Sequence, residues 1–160
     1  MSTPDIYCDT RQQKGKHENI DKWFLAHGVA FEYKKLDFGD YIRADGLSNI
    51  SIDTKQNISE LAGNLGKDHP RFKREVLRAN AAGFKLIILI EQGFPYRCIE
   101  NIADWIPKRY THAKTRPMQG GTLLRIIRTM ERKYNIEFIL CDRRRTARIL
   151  CDILGVAYTK

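Results

Sequence analysis

The chain has 160 residues, 42% of them hydrophobic, and its 28 Lys and Arg outnumber its 19 Asp and Glu to give a net charge of +9. This length suffices for one domain whose core needs no disulfides or structural zinc. No apolar run approaches the ~18 to 20 residues of a membrane span, and "MSTPDIY" does not resemble a signal peptide. We therefore expect a soluble intracellular protein, cytoplasmic or, in a eukaryote, nuclear. The charge favours an anionic partner, nucleic acid ahead of an acidic membrane surface.

The first half of the chain predicts a strand, a helix, a strand and a hairpin. In chain order these are "IYC" ending at Asp9, "ENIDKWFLAHG" stopped by Gly28, "VAFEYKKL", and the pair "DYIRA" and "NISIDTK" around the turn signal Asp45-Gly46. The helical pattern "NISELAGNL" follows, with Asn57 as its cap and Glu60 three residues later as the partner of a capping box.

The second half alternates helices and strands. It begins with a helix at "DHPRFKREVLRANAAG", a strand at "FKLIILIE" and a short helix at "CIENIADWI". A basic loop at 108–116 and a turn at Gly120-Gly121 follow. The chain then continues with a helix at "TLLRIIRTMERKY", a strand at "IEFILC" and a helix at "RRTARILCDILG". The continuous apolar strand "FKLIILIE" is expected at the centre of the sheet, covered on both faces. The order predicts a single α/β domain over residues 1–160, with a hairpin in front of a partly parallel sheet.

The hairpin brings two acids together. If its loop is the four residues from Asp45 to Ser48, facing residues have numbers that sum to 93, and Asp40 faces Asp53. Like charges at directly opposed positions, with Cβ atoms ~4.5 to 5.5 Å apart, are destabilising. Two carboxylates at this spacing can instead share a hard divalent cation, which takes oxygen ligands.

A lysine follows on the same face of the strand. Lys55 lies two residues beyond Asp53, so the period of two predicts that both side chains point the same way, ~6.5 Å apart. A divalent cation, two carboxylates and a lysine suit phosphodiester hydrolysis, because the metal offsets phosphate charge and lowers the pKa of a water. The alternative from spacing alone is an ordinary solvated hairpin with exposed charges.

With these motifs in view, the sequence resembles the PD-(D/E)XK, restriction-endonuclease-like nucleases, and among them the XPF-type domain of structure-specific DNA endonucleases. "CDTRQQ" resembles that family's Asp-x-Arg-Glu, "FGDY" its Gly-Asp-Tyr and "IDTK" its Glu-Arg-Lys. The similarity continues through "ELAGNL", "RFKRE" and "KLIILIE" to "TARIL". It implies a mixed β-sheet with a catalytic hairpin, flanked by helices on both faces.

The resemblance also implies roles for individual residues. Asp40 and Asp53 would bind Mg²⁺ or Mn²⁺ together with the backbone carbonyl of Thr54, and Lys55 would be the catalytic lysine. Asp9 would lie at the edge of the metal site as a further catalytic and metal-binding candidate.

DNA contacts are expected from basic residues near this hairpin. Phosphate contacts add salt-dependent affinity without sequence preference. The candidates are Arg11, Lys14, Lys16, Arg71 and Arg74. The loop over 108–116 is either a DNA clamp or a disordered loop.

Three departures from the family pattern bear on the chemistry. Gln12 stands where the family has an acid, which puts a second metal position in question. Asp53 is shorter than the usual glutamate, and Thr54 replaces an arginine. Glu60 is one position beyond the acid that the family places after the lysine, so both a metal role and a capping role stay open.

Three functions are compatible with these observations. The first is a metal-dependent DNA endonuclease, acting on branched, flapped or nicked DNA. The second is a non-catalytic DNA-binding or partner subunit on the same fold, and the third is a structural protein with a charged surface. The resemblance adds a homodimer or heterodimer through the C-terminal helices, and we expect no helix-hairpin-helix module after Gly155.

Overall fold

The computed structural model describes residues 3–11, 15, 17–107 and 117–160, which form a six-stranded sheet flanked by helices. The strands are β1 (Ile6–Asp9), β2 (Phe31–Lys34), β3 (Tyr41–Arg43), β4 (Ile50–Lys55), β5 (Lys85–Glu91) and β6 (Ile136–Cys141). The helices are α1 (Glu18–Ala26), α2 (Ile58–Leu65), α3 (His69–Ala81), α4 (Gly120–Lys133) and α5 (Thr146–Leu154). Two short 3-10 helices cover Ile99–Asp104 and Arg143–Arg145.

The sheet is mixed, with the strand order β2-β1-β3-β4-β5-β6. Strands β1 and β2 pair in parallel, as do β4, β5 and β6, whereas β3 is antiparallel to both of its neighbours. The expected partly parallel sheet is therefore confirmed. The expectation that "FKLIILIE" lies at the centre is wrong, because β3 and β4 occupy the middle and β5 lies next to the edge strand β6.

Strand β5 is nonetheless covered on both faces. Its five central residues, Leu86 to Ile90, are all buried. One face packs against α2, α3 and α4, and the other belongs to a second core that includes residues of α1 and α5. A continuous apolar run indicates this double burial but does not give a strand's position in the sheet.

The hairpin of β3 and β4 has the predicted register. Tyr41 pairs with Ile52 and Ile42 pairs with Ser51, so the numbers of facing residues sum to 93, as predicted. Continuing the ladder by one step places Asp40 opposite Asp53, and the Asp40 amide donates to the Ile52 carbonyl at 2.8 Å.

The helix boundaries match the sequence signals in part. Asn57 caps α2, because its side chain accepts a hydrogen bond from the Glu60 amide at 2.8 Å. Asp68 occupies the cap position of α3 but makes no side-chain cap hydrogen bond.

The interpretation of Gly120-Gly121 as a turn is wrong, since both residues belong to the first turn of α4. A Cβ on Gly120 would lie 2.1 Å from the Ile102 carbonyl oxygen, so a close approach to the 3-10 helix Ile99–Asp104 requires glycine there. Separately, none of the helices in the described part of the chain is long and apolar enough to span a membrane.

Candidate active site

The antiparallel direction of β3 brings the predicted acids to one edge of the sheet. Strands β1 and β4 end at this edge with Asp9 and Lys55, whereas β3 begins there, directly after Asp40. Gly39 has a positive φ of 71°, and a Cβ at this position would lie 2.1 Å from the Ser51 hydroxyl oxygen. Only glycine fits immediately before Asp40, which explains the "GDY" spacing.

The side chains of Asp40 and Asp53 lie within hydrogen-bonding reach, and the bond forms when Asp40 is protonated and donates to Asp53. Asp40 Oδ2 also accepts hydrogen bonds from the Thr54 amide and the Thr54 hydroxyl, both at 2.9 Å. Burial and the negative charge of Asp53 raise the pKa of Asp40 well above its ordinary value, although the bonds from Thr54 oppose the shift. The two carboxylates therefore repel each other, as the register implies.

Lys55 lies on the same side as Asp53. Its Nζ atom is 3.0 Å from Asp53 Oδ2, and both side chains are largely buried, at 12% and 10% exposure. Burial lowers the pKa of Lys55, but the charge of Asp53 and its hydrogen bond raise it by more. The lysine is thus held as a buried ammonium beside the acidic pair.

Asp9 and Arg11 complete the edge on the β1 side. Asp9 is buried, its Oδ1 accepts the Leu36 amide at 2.9 Å, and Arg11 Nε is 3.1 Å from its Oδ2. Arg11 also donates to the Leu36 carbonyl. Both oxygens of Asp9 therefore have protein partners, while its main chain is tied to the site through a bond from its amide to the Asp40 carbonyl at 2.8 Å.

A cavity of about 450 Å³ opens in front of these residues. Its lining contains Asp9, Arg11, Gly39, Asp40, Asp53, Arg71, Arg74, Glu75 and Arg78. The structure therefore brings together most of the residues predicted from the hairpin and from "RFKRE". A smaller cavity of about 150 Å³ adjoins Lys55, Arg71 and Glu75.

The sequence patterns do not predict two further residues of the cavity, Glu75 and Arg78. They share one face of α3 with Arg71 and Arg74, because positions 71, 74, 75 and 78 follow helical spacing. This spacing could have marked them, had the cavity face of α3 been known.

Both residues connect α3 to the segment that leads into Asp40. Glu75 Oε1 accepts the Gly39 amide at 3.2 Å, and Arg78 Nε donates to the Asp37 carbonyl at 3.4 Å. Helix α3 therefore holds the backbone on which the first acid of the pair is placed.

Glu75 also contributes to the electrostatics of the site. Burial and the charge of Asp53 raise its pKa, whereas the Gly39 hydrogen bond and the positive charge of Lys55 oppose the shift. The three acids of the cavity floor, Asp40, Asp53 and Glu75, thus lie within electrostatic reach of one another.

The other predicted residues lie apart from this set or outside the description. Glu60 Oε2 accepts the Gln56 amide, one residue before the cap Asn57, at 2.8 Å, and Glu60 is absent from the lining of the cavity. Its charge still contributes to raising the pKa of Lys55. Lys14, Lys16, Gln12 and the loop 108–116 lie outside the described residues.

The donor set fits one hard divalent cation with two protein carboxylates. Asp40 and Asp53 are adjacent, repel each other and face an open cavity, and a cation of this kind takes carboxylate, carbonyl and water oxygens. Across the described ranges, no three His, Cys, Asp or Glu residues are grouped so as to hold a metal ion.

The fold is similar to that of the XPF nucleases. In a comparison with solved structures, the chain is similar to XPF from Aeropyrum pernix, solved in complex with DNA, with a TM-score of 0.64 and 22% sequence identity. The match covers 95% of this chain and 64% of the Aeropyrum chain, so the chain spans slightly less than two thirds of that protein. No protein-family profile and no curated protein matches the sequence.

Proposed function

We propose that this protein is a metal-dependent endonuclease that hydrolyses phosphodiester bonds of DNA, with branched, flapped or nicked DNA as the substrate class to test. The observation that carries the proposal is the cavity in which a repelling pair of carboxylates meets the arginines of α3, with the buried Lys55 ammonium 3.0 Å from Asp53. The XPF-like fold and the net charge of +9 support it.

Asp40 and Asp53 would hold the cation, Mg²⁺ or Mn²⁺, with the Thr54 carbonyl as the main-chain ligand. The bound ion would supply neutralisation of phosphate charge and a lowered pKa of water. Asp9 is not needed as a metal ligand, because its two side-chain oxygens already contact the Leu36 amide and Arg11 Nε.

Binding of the DNA backbone falls to the arginines of α3. Arg71 and Arg74 are exposed at the mouth of the cavity, where guanidinium groups can bind phosphate oxygens in a bidentate manner. These contacts would hold the scissile phosphate against the acidic pair.

Lys55 and Glu75 act closer to the acids. The Lys55 ammonium has three N–H donors, of which one contacts Asp53 and the others can orient the attacking water or stabilise the phosphate. Glu75 positions Asp40 through the Gly39 amide.

The proposal is tested by incubating the purified protein with single-stranded, duplex and branched DNA in Mg²⁺ and in Mn²⁺. Asp53→Ala should reduce cleavage by about 10²-fold or more while leaving DNA binding largely intact. Asp104→Ala, at an exposed position outside the cavity, is the matched control and should cleave like the wild type. Undiminished, equally metal-dependent cleavage by Asp53→Ala would show that the site is wrongly assigned.

A second candidate is a non-catalytic DNA-binding or partner subunit. It is favoured by the lack of a three-residue metal group in the described part of the chain and by Gln12 in place of an acid. This candidate predicts salt-dependent DNA binding with no cleavage at any metal concentration. A dimer through the C-terminal helices, a single domain over residues 1–160 and an intracellular location remain predictions.

A further inference from the structure

A second basic surface lies on the other side of α3. The groove between α3 and α4, called the α3–α4 groove below, has a volume of about 310 Å³. Its basic lining residues are His69, Lys73, Arg125 and Lys133, and no Asp or Glu of the described ranges lines it. Three full positive charges thus face one groove without a counter-charge in its lining.

Some basic residues of the surface are paired with an acid. Arg43 pairs with Asp45 at 2.9 Å, and Lys85 pairs with Glu137 at 2.8 Å. The three fully charged residues of the groove are Lys73, Arg125 and Lys133. All three are exposed, and none forms an ion pair with a described residue. Binding of an anion in the groove would relieve the mutual repulsion of these cations.

The groove and the cavity lie on opposite flanks of α3. Arg71 and Lys73 are two residues apart and therefore point about 200° apart around the helix axis. Arg71 lines the cavity with the carboxylates, whereas Lys73 lines the α3–α4 groove. An α-helix with its side chains is roughly 10–12 Å wide, and the major groove of B-DNA is about 12 Å wide, with a phosphate backbone on each side.

We infer that α3 is the ridge on which a DNA duplex sits, with one strand along the cavity and the phosphates of the complementary strand in the α3–α4 groove. This inference rests on the proposed function and deepens it, because it makes duplex DNA the preferred form of the substrate. Each phosphate contact releases counterions and adds to the salt dependence of binding. The strand at the cavity contacts Arg71, Arg74 and Arg78, and the opposite strand contacts Lys73, Arg125 and Lys133.

The test compares two triple variants in binding assays without divalent metal, so that cleavage plays no part. The groove variant carries Lys73→Gln, Arg125→Gln and Lys133→Gln. The control carries the same number of neutralised positions on other parts of the chain, all exposed: Lys22→Gln, Arg148→Gln and Lys160→Gln. Fluorescence anisotropy is measured with a short duplex and with one of its strands alone, between roughly 50 and 200 mM salt.

The groove variant should lose about 10-fold or more in duplex affinity, and the negative slope of log affinity against log salt should decrease in magnitude by about 2 to 3. Its affinity for the single strand should stay at the wild-type value, as should both affinities of the control. Unchanged duplex binding would overturn the inference, and so would an equal loss for duplex and single strand or an equal loss in the control. Wild-type protein that binds no DNA overturns it as well.

Failure of the nuclease proposal gives a different result. If the wild type binds DNA with the predicted strand dependence but cleaves none in Mg²⁺ or Mn²⁺, the enzyme assignment falls and the duplex interface stands. All six substituted residues are exposed, so the variants are expected to fold, and thermal unfolding curves are the check of this expectation.

Discussion

Replacing Asp40 by asparagine should stabilise the metal-free protein while it abolishes cleavage. The amide oxygen of the new side chain can accept the same two hydrogen bonds from Thr54, and its NH₂ group can donate to Asp53. The substitution therefore preserves the contacts and removes the repulsion between two buried carboxylates. Asp53→Asn should not stabilise, because it leaves the buried Lys55 without its counter-charge.

The size of the gain has an upper bound. A carboxyl group with an ordinary pKa of about 3.9 costs about 1.4 kcal/mol per pH unit to protonate, which is about 4 kcal/mol at pH 7. The repulsion at Asp40 cannot cost the folded protein more free energy than this, because a larger cost would be avoided by protonation of Asp40. We expect Asp40→Asn to raise the free energy of unfolding by about 1 to 4 kcal/mol, with a rise in Tm of roughly 3 °C or more.

The pH dependence follows from the direction of the pKa shift. Because the pKa of Asp40 is raised in the folded state, the folded protein binds a proton that the unfolded chain releases, and stability falls as pH rises above the unfolded pKa. The advantage of Asp40→Asn should therefore be largest at neutral pH and disappear near pH 4, at about the ordinary pKa of aspartate.

The assay is thermal or urea unfolding in metal-free buffer from acid to neutral pH, with Asp53→Asn alongside. Added Mn²⁺ should stabilise the wild type more than Asp40→Asn, because a ligand stabilises the state that binds it. An unchanged or lowered Tm for Asp40→Asn at pH 7, or a gain that does not depend on pH, would refute the reasoning.

Two further predictions concern contacts around the site and the core. Glu75→Ala should lower cleavage about 10-fold and speed amide exchange at Gly39, because the Gly39 amide loses its acceptor. Glu75→Gln keeps an acceptor for that amide and should retain most activity. Equal losses of activity in the two variants would assign the effect to the charge of Glu75 instead. Gly120→Ala should destabilise by about 2 kcal/mol, because its Cβ would clash with the Ile102 carbonyl. Gly121→Ala is the control in unfolding measurements, because a Cβ added at Gly121 meets open space. Equal stability of the two variants would contradict the predicted clash at Gly120.

Local patterns predict the elements and the hairpin of the site. The register that brings Asp40 to Asp53 depends on loop length and strand alternation, and both are visible in the sequence. The cap at Asn57 is visible for the same reason, because its partner is three residues away.

Other features depend on how distant elements pack. Glu75 escapes prediction because its importance comes from the approach of α3 to Gly39, 36 residues away in the sequence. The predicted position of β5 is wrong because burial on both faces does not fix a strand's place: β4 and β5 both have continuous buried runs, but only β4 lies in the middle of the sheet. Gly120 has the local signature of a turn residue, while the backbone of Ile102 that requires glycine there is remote in sequence.

The locality of the acidic hairpin also has a consequence for folding kinetics. Asp40 and Asp53 meet as soon as β3 pairs with β4, a short-range event that closes a small loop, whereas Arg71 and Arg74 arrive only when α3 docks. Where the hairpin forms before α3 docks, its strands pair against the repulsion of two carboxylates without the arginines of α3 in place. If this hairpin forms in the folding transition state, charge at Asp40 slows folding rather than speeding unfolding, so the acidic pair of the candidate site limits the rate at which the chain folds.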